Sequence, residues 1–145
     1  MQDFSEYVFP PNSFIDLFIC HFGQHQCAPM HSYGPAIRNH FLFHYIYSGK
    51  GMLHSMNEKN QNISYPLEAG QGFLIWPRQQ NTYVADKEQP WSYYWIEFDG
   101  LKARDILAQA GLNYNQPIYT PLPNNPPPGK FSQEQVGGCA ALYCK

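Results

Sequence analysis

Apolar and polar positions between residues 14 and 98 alternate over short runs, and turn-forming residues separate one run from the next. Runs rich in aromatic and β-branched residues occupy positions 14–22, 36–48, 52–56, 63–67, 73–76, 82–85 and 91–98. Turn signals spaced roughly 8–12 residues apart are typical of an antiparallel sandwich or barrel. The pattern predicts an all-β fold of about seven or eight strands, with an extended lead-in over residues 1–12 and a loop over residues 24–34.

The pattern changes once, after residue 98, where apolar residues take up helical spacing. Residues 101–112 read LKARDILAQAGL, with Gly111 near the C-terminal end of the segment. Asp99 precedes this segment and has the side chain of a good N-cap. The sequence therefore predicts one short α-helix directly after the last long strand.

The segment after Tyr119 has a different composition from the rest of the chain. Residues 120–130 hold five prolines, which is typical of a linker and not of a packed element. We expect one domain over residues 1–120, and a proline-rich linker with an irregular tail over residues 121–145. Few residues follow this linker. This suggests either that the chain is the front part of a longer architecture or that its tail is unusual.

The strand predicted over residues 91–98 carries the most informative side chains. Because side chains alternate along a strand, one face holds Trp91, Tyr93, Trp95 and Glu97. Two indoles, a phenol and a carboxylate on one face are costly to bury unless their polar atoms find partners. Such a face suits a polar, flat-sided small molecule such as a sugar. The alternative is an aromatic strand packed in an ordinary sandwich.

Composition and charge narrow the possible functions. The chain has 145 residues, of which 17% are aromatic and only 14% are charged, so it is long enough and apolar enough for one ordered domain. Its net charge is −2, without a basic cluster, which argues against binding of nucleic acid by this chain alone. No run approaches the roughly 18 apolar residues of a membrane span, and we expect a cytoplasmic protein.

Two of the four cysteines lie early in the chain among several histidines, and the other two, Cys139 and Cys144, lie near its end. The segment from Cys20 to Cys27 and on to His31 also contains His21 and His25, which gives five possible metal ligands. The two cysteines are not spaced like those of a zinc knuckle, and the segment would chelate a metal only if it folded back on itself. We therefore expect reduced, partly buried thiols here, and no metal or other cofactor.

Four stretches of the sequence together resemble the N-terminal effector-binding domain of AraC-type transcriptional regulators. They are HSYGPAIR at residues 31–38, FLFHYIYSGKG at 41–51, LEAGQGFLI at 67–75 and PWSYYWIEFDG at 90–100. The resemblance covers roughly residues 15–120 and implies a cupin-like jelly-roll barrel that binds a small effector, commonly a sugar. In that family, later helices dimerise the protein and a pair of helix-turn-helix motifs reads DNA.

No residues after position 120 resemble the dimerisation helices or the DNA-reading part. The expected function is therefore that of a sensor that binds a small effector, with a second copy of the chain as its other expected partner. DNA binding is expected only through a helix-turn-helix part that is not in this chain.

The resemblance also implies candidate binding residues. The positions that line the cavity in the arabinose-binding member fall here on Trp95, Tyr93 and Tyr83. The family's sugar-binding arginine has no counterpart at its own position, and Arg38 is the nearest substitute. Together with one or more of Arg38, His44 and Glu97, the three aromatic residues form the predicted site.

Two other functions remain open from the sequence. A metal-dependent cupin enzyme acting on a sugar would need clustered histidines, but His40 and His44 lie four residues apart, about 13 Å along a strand. The later histidine of such a site is replaced by Asn81 or Thr82. We therefore expect no enzyme activity and no catalytic residues. The third possibility is a dimerisation module whose barrel is filled by its own side chains.

Overall fold

The computed structural model describes residues 2–9 and 15–123, and most of the predicted tail lies outside them. Ten strands and one helix follow one another within these described residues: β1 (Asp3–Val8), β2 (Phe18–Gln26), β3 (Ser32–Ala36), β4 (Phe41–Ser48), β5 (Lys50–Met56), β6 (Asn62–Glu68), β7 (Gly72–Ile75), β8 (Asn81–Ala85), β9 (Ser92–Asp99), α1 (Ala103–Gln109) and β10 (Ile118–Tyr119). The fold is thus mostly β with one short helix after the last long strand, as the sequence predicts.

The strands form two antiparallel sheets that face each other. One sheet has six strands in the order β1-β2-β9-β4-β7-β10, and the other has four in the order β3-β8-β5-β6. The chain passes repeatedly from one sheet to the other, so strands that are distant in sequence become neighbours. The main core lies between the sheets and includes Trp91, Phe73, Leu53 and Ile46, all fully buried.

A second, smaller core lies under the helix. Ala103 and Leu107 are the buried residues of α1, and they pack with Leu112 against Phe41 and Leu74. The helix begins later than predicted and has Lys102 as its N-cap, without a side-chain capping bond. Asp99, the predicted N-cap, instead ends β9.

The alternation that defined the face of residues 91–98 is confirmed. Tyr93, Trp95 and Glu97 of β9 are buried, whereas the residues between them are only partly buried. In the neighbouring β4, Leu42, His44 and Ile46 are likewise buried. Period-two alternation thus identified the inward positions of β9.

Several predicted boundaries near the N-terminus are wrong. Part of the predicted lead-in is β1, which pairs along its whole length with β2. Because most residues of β1 are exposed, its sequence shows no apolar alternation that would reveal the strand. The predicted loop over residues 24–34 contains the end of β2 and the start of β3, and the predicted strand over residues 36–48 is two strands separated by a bend.

Within the described residues, no helix is long and apolar enough to cross a membrane. The division of the chain at residue 120 stays a prediction.

Candidate functional site

The six predicted site residues come from four parts of the fold that meet between the sheets. β9 contributes Trp95, Tyr93 and Glu97, β4 contributes His44, β8 contributes Tyr83, and Arg38 lies between β3 and β4. His44 is the cross-strand partner of Trp95. All of them except Arg38 are buried. The structure therefore brings these residues to one interior region.

His44 is the centre of an aromatic group in this region. Its ring stacks on Phe73 at a centroid distance of 4.4 Å and lies 5.0 Å from the ring of Tyr83 and 4.6 Å from that of Tyr93. Burial, followed by the positive charges of Arg38 and His25, holds the pKa of His44 well below its usual value, so the imidazole is neutral near pH 7. Its Nδ1 is buried without a hydrogen-bond partner among the described residues.

An unpaired buried nitrogen costs roughly 1–3 kcal/mol, so it marks a place where a polar partner is missing. The two phenols beside it are also buried, and burial raises the pKa of Tyr83 and of Tyr93 far above the usual value. Both phenols are therefore protonated and available as hydrogen-bond donors and acceptors. The charge of nearby Arg38 lowers the pKa of Tyr83, but burial outweighs it.

Glu97 is the centre of a second group, which we call the Glu97 cluster and which comprises Glu97, Arg38, His21, His40 and Cys20. The Arg38 guanidinium donates to Oε2 of Glu97 at 3.0 Å, and Nδ1 of His40 lies 3.0 Å from Oε1. Nε2 of His21 also hydrogen-bonds Oε2 of Glu97. Cys20 Sγ lies 3.6 Å from Nδ1 of His40. The carboxylate thus meets three nitrogen-bearing side chains.

These partners set the ionisation of Glu97. Burial pushes the pKa of Glu97 upward, but the hydrogen bonds from His40 and His21 and the charges of His21 and Arg38 outweigh burial. The net result is a pKa below the usual value, and Glu97 is an anion at neutral pH. Because Arg38 neutralises that anion, the Glu97 cluster presents polar atoms without a large net charge.

Trp95 lies between the two groups, and its surroundings include residues that the sequence did not single out. Its indole meets the ring of Phe4 from β1 at 6.4 Å in a stacked arrangement and the ring of His21 at 4.7 Å edge-on. Gly23 of β2 lies beneath the indole, where an added Cβ would be 2.8 Å from Cζ2 of Trp95 and 2.1 Å from the backbone oxygen of Ser5.

His21, His40 and Phe4 were missed as site residues for identifiable reasons. His21 faces Glu97 through the β2–β9 register, which cannot be read from either strand alone. His40 was interpreted as a strand residue on the same wall as His44, whereas it lies just before β4 and bonds Glu97. His21 and Gly23 lie two residues apart on β2 and so share one face of the strand. This spacing is the one local signal in the sequence that would have indicated the inward face of β2.

Two groups of side chains have the ligand types that metals prefer. His25, Cys27 and His31 form one, and Cys20, His40 and Glu97 form the other; within each group the ligand atoms lie within 4.8 Å of one another. His40 and His44 are in different groups of contacts, as expected from their separation along the chain. A separate cavity of about 260 Å³ on the four-stranded sheet is lined by His54, Met56, Asn62, Gln80, Asn81 and Thr82, and it includes none of the six predicted residues.

The two facing sheets form a barrel-like sandwich whose interior holds both polar and aromatic side chains. The chain belongs to the family of AraC-like ligand-binding domains, whose family model matches residues 18–134. It is 41% identical over 105 residues to the Msm operon regulatory protein of Streptococcus mutans serotype c, covering 72% of this chain and 35% of that protein. It is 32% identical over 105 residues to the raffinose operon transcriptional regulatory protein RafR of Pediococcus pentosaceus, covering 71% of this chain and 36% of that protein.

The chain therefore spans about a third of the length of these relatives. Among solved structures it is similar to the oxalate decarboxylase of Bacillus subtilis, with a TM-score of 0.51 at 13% identity over 80% of this chain and 35% of that one. At that identity the likeness concerns the fold alone. It confirms the predicted cupin-like jelly roll, and the family match confirms the resemblance drawn from the four sequence motifs.

Proposed function

We propose that this chain is the effector-sensing domain of an AraC-type transcriptional regulator and that it binds a small neutral sugar between its two sheets. The proposed binding residues are Trp95, Tyr93, Tyr83, Arg38, His44 and Glu97. The observation that carries the proposal is the unpaired, fully buried Nδ1 of His44 beside two buried phenols. A sugar hydroxyl would supply the missing hydrogen-bond partner.

The chemistry of the surrounding residues supports a sugar of this kind. The indole of Trp95 offers a flat surface for the C–H face of a pyranose ring. The Glu97 cluster offers a carboxylate and a guanidinium, which suit hydroxyl groups as acceptor and donor. A neutral ligand fits best, because Arg38 and Glu97 already compensate each other and a charged ligand would disturb that balance. Stacking plus a few hydrogen bonds gives micromolar to millimolar affinity, roughly 4–8 kcal/mol.

The relatives support a regulatory role for the longer protein. Both are named as operon regulators, and one as a regulator of a raffinose operon. Since this chain covers about a third of each, the control of transcription and the reading of DNA are proposed for a longer parent protein. No catalytic role is proposed, because the carboxylate of Glu97 already bonds an arginine and two histidines.

A second candidate is a dimerisation module with a filled barrel. The tight packing of the core favours this candidate, since the side chains of Trp91, Phe73 and Ile46 are fully buried. In that case His44 would be a core histidine, and the chain would associate with a second copy without binding any effector.

A thermal-shift screen of neutral sugars distinguishes the two candidates. A ligand that binds only the folded state at a concentration of 100 Kd adds about 2.7 kcal/mol of stability, and so raises the melting temperature by several degrees. Raffinose, its component monosaccharides and arabinose form the panel, and the corresponding sugar acids serve as charged comparators. A shift with a neutral sugar supports the sensor. No shift with any sugar, together with a concentration-dependent dimer, supports the filled module.

A further inference from the structure

Three side chains with metal-binding atoms lie close together near the end of β2 and the start of β3. His25 lies in β2, Cys27 follows its end and His31 directly precedes β3; we call these three residues the β2–β3 corner. The intervening segment folds back on itself, with the N–H of His31 donating to the carbonyl of Ala28 at 3.0 Å. The fold thus meets the condition under which this segment would chelate a metal.

The two imidazoles of the β2–β3 corner are aimed at one point. The amide nitrogen of Gln2 lies 2.5 Å from Nε2 of His25 and 3.4 Å from Nδ1 of His31. Both ring nitrogens therefore point towards the same amide group. The two rings lie 4.6 Å apart, nearly perpendicular to each other. A metal ion requires ring nitrogens that converge on one point in this way.

The thiol of Cys27 completes a set of three ligands. Its Sγ lies within 4.8 Å of one ring nitrogen of each histidine. In a tetrahedral zinc site, bond lengths of about 2.0–2.1 Å to nitrogen and about 2.3 Å to sulfur place the ligand atoms about 3.3–3.8 Å apart. Shifts of about 1 Å in side-chain position are therefore enough to reach metal-binding distances.

The outer surroundings of the β2–β3 corner also resemble those of known metal sites. The other ring nitrogen of His25, Nδ1, lies 3.4 Å from the hydroxyl of Tyr93. Metal-bound histidines commonly hydrogen-bond a partner through their second nitrogen, which fixes the ring orientation. Within residues 2–9 and 15–123, no hydrogen bond or ion pair joins these three side chains to a lysine or arginine.

We propose that His25, Cys27 and His31 bind one Zn²⁺ ion. Two imidazoles and a thiol are ligands for a borderline-soft divalent ion and do not suit Mg²⁺ or Ca²⁺, which take oxygen ligands. On binding, the thiol of Cys27 gives its proton to solvent and the resulting thiolate forms the bond to the metal. The fourth position faces Gln2 and is open to its amide oxygen or to water.

The ion would join the two sheets at this corner. β2 belongs to the six-stranded sheet and β3 to the four-stranded sheet, so one metal would hold the end of one strand against the start of the other. It would also fix the histidine that contacts Tyr93. This inference does not depend on the proposed sugar, and it departs from the expectation of no metal that the cysteine spacing gave.

Cobalt(II) titration of the full 145-residue chain tests the site, because a Co²⁺–thiolate bond gives a charge-transfer band and a tetrahedral site gives intense visible bands. The protein carries Cys139→Ser and Cys144→Ser, so that only Cys20 and Cys27 remain. We expect one equivalent of Co²⁺, displaced by one equivalent of Zn²⁺. Cys27→Ser should abolish the charge-transfer band, and the matched control Cys20→Ser should keep it.

A second variant keeps the test informative if Cys27→Ser, which changes a buried residue, fails to fold. His31 is only half-buried, so His31→Gln should leave the metal-free melting temperature unchanged. It should weaken Co²⁺ binding by at least about tenfold, since even outer-shell partners are worth about 10–100-fold in metal affinity. The proposal is overturned if binding is substoichiometric, if folded Cys27→Ser retains the band, if Cys20→Ser loses it, or if His31→Gln binds Co²⁺ as tightly as the parent.

Discussion

The Glu97 cluster and the β2–β3 corner contain nearly the same residue types in different electrostatic settings. Each has two histidines and one cysteine, and β2 contributes to both. In the Glu97 cluster, a buried carboxylate holds both imidazoles and an arginine neutralises it. In the β2–β3 corner, Nε2 of His25 and Nδ1 of His31 both contact the amide of Gln2, and no ion pair within the described residues involves either histidine. The two clusters therefore differ in countercharge and not in their histidines and cysteine. The Glu97 cluster, whose carboxylate is neutralised by Arg38, is suited to hydroxyl groups, whereas the β2–β3 corner is suited to a cation.

The largest expected effect comes from removing the countercharge in the Glu97 cluster. Arg38→Ala leaves a mostly buried carboxylate without its guanidinium, which should lower the free energy of unfolding by on the order of 3 kcal/mol. Urea unfolding monitored by tryptophan fluorescence measures the change. Arg104→Ala is the matched control, because Arg104 only overlies the ring of Trp76 and its loss should cost about 1 kcal/mol or less.

The double variant Arg38→Ala with Glu97→Gln sharpens that result. If the loss in Arg38→Ala comes from an uncompensated anion, neutralising Glu97 should recover much of the stability. Equal stability of the single and double variants would show that Arg38 acts through packing, and the contrast between the two clusters would then lose its electrostatic basis.

The next-largest effect is expected at Trp95, whose indole lies between the aromatic group around His44 and the Glu97 cluster. Trp95→Ala should weaken binding of the sugar by about 1–3 kcal/mol while the fold is retained, because the stacking surface is lost. Calorimetry with the sugar found in the screen measures the affinity. Trp76→Ala removes the same side chain from the core under the helix and should leave affinity unchanged. Unchanged affinity in Trp95→Ala would remove this residue from the site.

A smaller effect is expected from pH, because the buried imidazole of His44 titrates below its usual range. Its pKa is lowered in the folded state, so below about pH 6.5 the unfolded chain binds more protons than the folded one. Stability is full above that pH and falls as pH decreases, with a slope of at most about 1.4 kcal/mol per pH unit for this group. His25 contributes in the same direction.

Comparing the pH dependence of His44→Phe with that of the parent isolates this contribution. Urea unfolding at intervals from pH 7 down to pH 5.5 should show a shallower decline in the variant. Parallel curves would mean that His44 is protonated as easily in the folded protein as in the unfolded chain.

The smallest expected effect concerns DNA binding by this chain. The described helix, Ala103–Gln109, has Arg104 as its one cation, and the whole chain carries a net charge of −2. Specific binding needs a recognition helix and several phosphate contacts, so we expect no salt-sensitive, sequence-specific gel shift with this chain. Tight, competitor-resistant binding to one promoter at low salt would contradict this and would locate a DNA-binding element in residues 124–145.

The inward face of β9 was predictable because alternation is a local property of a strand. The partners of that face were not. His21 meets Glu97, and Phe4 meets Trp95, only through the pairing of β1 with β2 and of β2 with β9. Such registers depend on contacts between segments distant in sequence. The convergence of His25 and His31 likewise depends on how the turn between them folds back.

The helix N-terminus shows a local rule overridden by tertiary structure. Asp99 has a favourable N-cap side chain, but it accepts a hydrogen bond from the N–H of Gly100 and remains part of β9. The next two N–H groups, of Leu101 and Lys102, bond the carbonyls of Ile15 and Asp16. These bonds hold the chain in a turn, so the helix begins three residues later than a cap at Asp99 would place it.

The bare backbone of Gly23 limits how the proposed pocket can change its specificity. A methyl group at this position would collide with both the indole of Trp95 and the backbone of β1. Ligand size is therefore adjustable through other positions, namely Tyr83 on the facing four-stranded sheet and His44 beside Trp95 in the same sheet. Engineering towards a larger sugar should begin with Tyr83, and a library that varies residue 23 should return mostly proteins in which the N-terminal strand is displaced.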